Sequence, residues 1–214
     1  MKIEYLGHSC FKLTESTGTS IVCDPYSEEI GYKMPVTSAN AITISHEHYD
    51  HNAVKNVGGN PEIIKEQSSF SLPGVEVDAV KSFHDGRRGK MRGENTIFKF
   101  RMDGIDVCHL GDLGEECSSA LIEAILPVNV LLIPVGGNYT IDAEMAKEYV
   151  DRIMPDVVIP MHYRVKDCKL DIDKVDEFLK LFDEEIIEEY EENCLELSRS
   201  DLNGGTRIVV LRKN

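Results

Sequence analysis

Between Ser45 and Asn52 the chain reads SHEHYDHN, which packs His46, His48, Asp50 and His51 into six residues. The stretch continues Ala41–Ser45 (AITIS), a short β-branched run that reads as a buried strand. Neutral imidazole nitrogen and carboxylate oxygen at this density are ligands for zinc and its neighbours, and a strand running into a loop turns successive side chains onto one centre. In extended chain His46 and His48 share a face. Asp50 and His51 then fall where the chain turns, free to reach a second point nearby. The spacing suggests two metals rather than one.

HEHYDH resembles, at every defined position, the H-x-H-x-D-H signature of the metallo-β-lactamase fold superfamily of metal-dependent hydrolases. In that family one metal takes the first two histidines and a third, another takes the aspartate, the fourth histidine and a last one, and a second aspartate bridges. The resemblance therefore implies His46, His48 and His84 (in SFHDG) at one metal, Asp50, His51 and His162 (in IPMHY) at the other, and Asp112 (in HLGDLG) between them. It also implies an α/β fold, the four-layer αβ/βα sandwich with two mixed β-sheets. The implied cofactor is a pair of divalent ions, zinc first, with manganese or iron as alternatives that nitrogen and oxygen ligands also suit. Length and element order extend the resemblance over almost the whole chain. LGHSCF and PVGGNYT are similar to a subgroup of small, stand-alone hydrolases loosely similar to the L-ascorbate-6-phosphate lactonase branch.

At 214 residues the chain is long enough for one sizeable core, and residues 1–214 are expected to form a single metallo-hydrolase domain. Apolar runs such as VNVLLIPV are too short to span a bilayer, and no apolar leader follows Met1-Lys2. The six cysteines lack C-x-x-C spacing, and Cys10, Cys23 and Cys108 sit in apolar segments, as in a reduced, cytoplasmic protein. A net charge of −15 argues against nucleic acid, which is bound chiefly through Lys and Arg on phosphates. Much of the acid lies in DEEIIEEYEEN, read as a solvated face. The expected partner is a small molecule, with homo-oligomer formation left open.

IEYLGHSCFKLTE and SIVCDP read as three strands with a turn at Ser16–Thr19. Asp24 reads either as a hydrogen-bond partner that fixes a metal-ligating histidine, as the resemblance implies, or as a turn initiator before Pro25. Residues 26–40 form a polar loop long enough to border an active site. Of the two histidines competing for the third-ligand role, His84 is favoured. His109 lies three residues before Asp112 and should face the other way in extended chain. DGRRGKMRGEN carries Arg87, Arg88 and Arg92 just after His84. The segment is either a solvated loop or a clamp for an anionic group of the substrate. Helices are expected around Leu121–Leu126, stopped by Pro127, from near Thr140 or Asp142 to Pro155, and over Asp171–Phe182. The ligands fall at strand ends.

With both metals in place, a bound water has its pKa lowered to about 7 and serves as the hydroxide that attacks an ester, lactone or phosphodiester. Asp50 and Asp112 then belong to the catalytic centre, and His8 reads either as a substrate-binding or proton-shuttling residue or as part of the core. Tyr163 reads as packing rather than as an oxyanion donor. No G-x-S-x-G elbow or His-paired cysteine offers a side-chain nucleophile. Competing readings are a di-iron redox protein and a non-catalytic metal-binding or sensing protein.

Overall fold

The computed structural model describes residues 1–65 and 69–213. Alternating and β-branched runs fold as strands: β1 (Lys2–Gly7), β2 (Cys10–Thr14), β3 (Ser20–Cys23), β4 (Thr37–Ser38), β5 (Ala41–Thr43), β6 (Val57–Gly58) and β7 (Glu62–Ile64). There follow β8 (Phe70–Leu72), β9 (Val75–Phe83), β10 (Glu94–Met102), β11 (Ile105–His109), β12 (Val130–Pro134), β13 (Val157–Met161), β14 (Ile187–Tyr190), β15 (Cys194–Glu196) and β16 (Arg207–Leu211). One sheet has the order β15-β1-β2-β3-β5-β7, the other β14-β16-β13-β12-β11-β10-β9-β8, and β4 pairs with β6 apart from both. Both large sheets are mixed. β3, β5 and β7 run parallel beside antiparallel β1 and β2, and β11 begins a parallel half beside the antiparallel β8–β9–β10 meander.

Even where every residue of a strand is buried, alternation decides its neighbours. In β12, Val130 and Leu132 face the other sheet, against Phe11, Leu13 and Ile21. Leu131 and Ile133 face the opposite way, onto Ile122, Ala146, Tyr149 and Phe178 of the helices. A third apolar layer, with Val22, Ile42, Tyr26 and Ile30, covers the outer side of the first sheet under a short 3-10 turn, Glu28–Ile30. Three apolar layers separate four layers of backbone. Each fully buried Leu, Ile or Phe contributes about 1.5–3 kcal/mol.

Among the described residues, three α-helices cover the second sheet. In α1 (Ser119–Ile125) the Ser118 hydroxyl accepts the Leu121 N–H, and in α2 (Ala143–Ile153) Asp142 accepts that of Met145. Leu126, the last residue of the helix expected there, caps the end of α1 and is exposed. The helix expected over Asp171–Phe182 is shorter, α3 (Asp176–Leu179). Its first residues are drawn out of helical geometry because Asp173 donates its N–H to Gly136 and accepts that of Arg164 through its carbonyl. No helix among the described residues is long and apolar enough to cross a membrane.

The ends of β3, β5, β9, β11 and β13, with the β1–β2 turn, meet along one edge of the sandwich. Asp24, the 46–51 stretch, His84, Asp112, His162 and His8 follow these ends directly.

Candidate metal centre

After β5 the chain leaves extended geometry, and the histidines converge through bends rather than along a shared strand face. Asp112 is the hub. One of its carboxylate oxygens lies 3.1 Å from His51 Nε2, and the other lies 3.3 Å from His162 Nε2, 3.4 Å from His84 Nε2 and 3.8 Å from His46 Nε2. Donor atoms fall into overlapping groups: His46, His48 and His84; His46, His51 and Asp112; and His8, Asp50, His51 and His162. His8, His51, His84, Asp112 and His162 are buried, whereas His48 is on the exposed side.

Local hydrogen bonds fix the imidazoles. Asp24 accepts the Ser45 N–H at 2.7 Å, the Ser45 hydroxyl at 2.5 Å and His51 Nδ1–H at 2.8 Å. With its only proton given to Asp24, the Ser45 oxygen accepts from His46 Nδ1, 2.9 Å away. Both Nε2 atoms are thereby directed into the cluster, His46 Nε2 with a free lone pair. His109 points elsewhere: its Nε2–H donates to Ser9 O at 2.8 Å and its Nδ1 accepts from the Gly111 N–H at 3.1 Å.

Asn95, at the start of β10, accepts the Asp112 N–H at 2.9 Å and donates to Ser82 Oγ and Leu110 O. Gly111 makes this approach feasible, since a side chain there would run into Asn95 and Ser45, and its φ of +57° suits glycine. Gly136 does the same for the strand end at His162, whose carbonyl oxygen occupies the place of a Cβ. Asp85 accepts four backbone N–H groups, from Arg87, Gly89, Met91 and Arg92, and these pin the glycine-rich loop to His84. Sequence reasoning missed Ser45, Asn95 and Asp85. Only Asp85 had a signal, the turn-forming Asp-Gly that opens the loop.

Arg87 and Arg88 extend into solvent, whereas Arg92 is half-buried, donating to Asn138 O at 3.0 Å with its guanidinium 5.5 Å from the Tyr139 ring. Tyr163 is buried and stacked on Tyr5.

Burial pushes His46 down to about 3 and His8 down to about 4, so both are neutral at pH 7 with lone pairs available. Burial opposes charge on His51 as well, but Asp112 and Asp24 outweigh it and hold its pKa well above the usual value, so without an ion Nε2 carries a proton toward Asp112, which a bound metal would displace. Burial would raise Asp112, yet His162 and His51 keep it ionised. The pocket favours positive charge. His46 Nε2 is buried without a hydrogen-bond partner among the described residues, and His51 Nε2 and Asp112 Oδ1 converge 3.1 Å apart; a divalent cation that displaced the His51 proton would satisfy this donor set. The residues present fit a metal.

Residues 2–162 match the β-lactamase superfamily domain. The chain belongs to the β-lactamase superfamily. Superfamily relatives include a metal-dependent hydrolase of Carboxydothermus hydrogenoformans, 29% identical over 76% of this chain and 84% of that protein. Another, from Methanoculleus marisnigri, is 30% identical over 76% and 81%. A solved structure from Thermotoga maritima, described as a zinc-dependent hydrolase of the metallo-β-lactamase superfamily, is 39% identical over 98% of this chain and 97% of that one, with a TM-score of 0.81. Membership places the chain among the superfamily's metal-dependent hydrolases.

Proposed function

We propose that residues 1–214 act as one metallo-hydrolase domain that cleaves an ester, lactone or phosphodiester bond of a small molecule. The proposed centre holds two divalent ions, zinc first, one at His46, His48 and His84 and one at Asp50, His51 and His162, with Asp112 shared. The observation that carries this reading is the convergence of four Nε2 atoms on the two oxygens of Asp112. Bound ions would supply a water acidified to a pKa of about 7 and positive charge for a developing oxyanion.

The protein's part is positional. Asp24 and Ser45 hold His51 and His46 in one tautomer, and Asn95 holds the Asp112 backbone. His8 Nε2, 3.3 Å from Asp50 Oδ2, orients that carboxylate and takes up or returns a proton beside it. Exposed His48 marks the side from which substrate enters. Of the three arginines, Arg92 is the one whose cation is held in place for an anionic substituent. The net charge of −15 supports a small-molecule substrate over nucleic acid, and unpaired cysteines support a cytoplasmic setting.

The test is metal content per chain of protein purified without chelator, paired with turnover of lactone, thioester and phosphodiester panels. Two zinc or manganese ions with hydrolysis of one class is the expected result. Iron without hydrolysis, or no metal after reconstitution, would overturn it.

A further inference from the structure

Behind the metal centre, on the far side of the His8 and His162 backbone, lies a cavity of about 530 Å3 within the size range of small-ligand sites. Its floor is Tyr32, Tyr163, Leu211 and Lys213. Tyr163 follows His162 directly. The stem of Lys213 lies against Gly7, the neighbour of His8, closely enough that a side chain at Gly7 would meet it at 3.0 Å. The cavity therefore shares its wall with two residues of the cluster without containing either.

The Tyr32 hydroxyl is turned inward, closed to solvent beside the His8 backbone, so Tyr32 offers the cavity its ring and not its oxygen. Lys213 forms no ion pair among the described residues, and its ammonium stands 4.1 Å from the centroid of the Tyr32 ring. Acidic residues on the lining are Asp167, Glu189 and Glu191. The first two are exposed at the rim, where water screens them, and Glu191 is neutralised by Arg212. The partly buried charge is a cation, set over the Tyr32 ring in a cavity that Tyr163 also lines.

We propose that this cavity is a second ligand site, separate from the metal centre, for a small organic anion whose carboxylate or phosphate meets Lys213 while a ring-sized apolar body lies against the Tyr32 and Tyr163 rings. A planar ring matches the aromatic walls, and a charge-assisted hydrogen bond to a half-buried ammonium is among the stronger polar contacts available.

Calorimetric titration of the full chain with benzoate, phenyl phosphate and inorganic phosphate tests this, in the native protein and in Lys213→Ala, Tyr32→Ala and Asp112→Asn. Expected is binding of a phenyl anion that is equal in native and Asp112→Asn protein, about tenfold or more weaker in Lys213→Ala, and weakened also in Tyr32→Ala. The tighter of the two phenyl anions identifies the head group. Affinity unchanged in both cavity variants, affinity lost in Asp112→Asn, or inorganic phosphate binding as tightly as phenyl phosphate would each overturn the proposal, as would no binding at millimolar ligand.

Discussion

Asp24 Oδ2 accepts His51 Nδ1–H at 2.8 Å while the same oxygen accepts the Ser45 hydroxyl at 2.5 Å. One buried carboxylate thus sets the tautomers of two imidazoles, His51 directly and His46 through Ser45. Replacing it with Asn keeps the shape but removes the charge and half the acceptors. Asp24→Asn is expected to lower metal affinity by about 10- to 100-fold. Competition with a chromophoric chelator measures this, and unchanged affinity would show that the imidazoles need no such anchor.

Asp112 and His162 are expected to be indispensable to turnover. Asp112→Asn and His162→Ala should retain the folded circular-dichroism spectrum, bind less metal, and lose hydrolysis by at least about a hundredfold. Turnover retained in either variant would count against the proposed mechanism.

Asn95 touches no reacting group, yet three hydrogen bonds tie it to Ser82, Leu110 and Asp112. Asn95→Ala leaves the buried Asp112 N–H and Leu110 carbonyl unsatisfied, at about 1–3 kcal/mol each. For a chain of this size each kcal/mol lowers Tm by about 2–4 °C. Turnover should fall more than KM rises, because the bridge position shifts while the substrate pocket stays.

Arg92 and Arg88 separate the two readings of the basic loop. Arg92→Ala is expected to raise KM for anionic substrates and leave neutral ones unchanged, with Arg88→Ala affecting neither. Equal effects on both substrate classes in Arg92→Ala would assign the residue to loop packing against Tyr139.

Glu15, in the β2–β3 turn, accepts the Thr17 hydroxyl and the N–H groups of Thr17 and Thr19, and these hydrogen bonds hold its pKa below the usual value. A depressed folded pKa stabilises the fold above the unfolded value of about 4.3, and that contribution disappears as the pH falls through the folded value. Thermal melts should therefore show Glu15→Gln less stable than native protein at neutral pH and the two converging in acid. A gap independent of pH would refute the assignment.

The sequence announced the cluster because the chemistry sits in one dense stretch, and the strand ends followed because buried strands carry unbroken apolar runs. His84 and His109 could be weighed by strand geometry alone, and the structure turns His109 toward Ser9. What stayed hidden was held by long-range contacts. Asn95 is an ordinary polar residue in a strand until Asp112 folds against it, seventeen positions later. Over 171–175, helical periodicity was overruled by hydrogen bonds to Arg164 and Gly136, which no local pattern encodes.

His8, Asp24 and His162 all hold left-handed backbone, with φ of 55°, 46° and 53°. For residues with a Cβ this conformation costs about 1–2 kcal/mol apiece, and glycine would adopt it freely. A lineage released from selection for the reaction would gain backbone stability by surrendering these three side chains. Backbone strain and chemistry thus sit on the same three residues, so relief of the one forfeits the other.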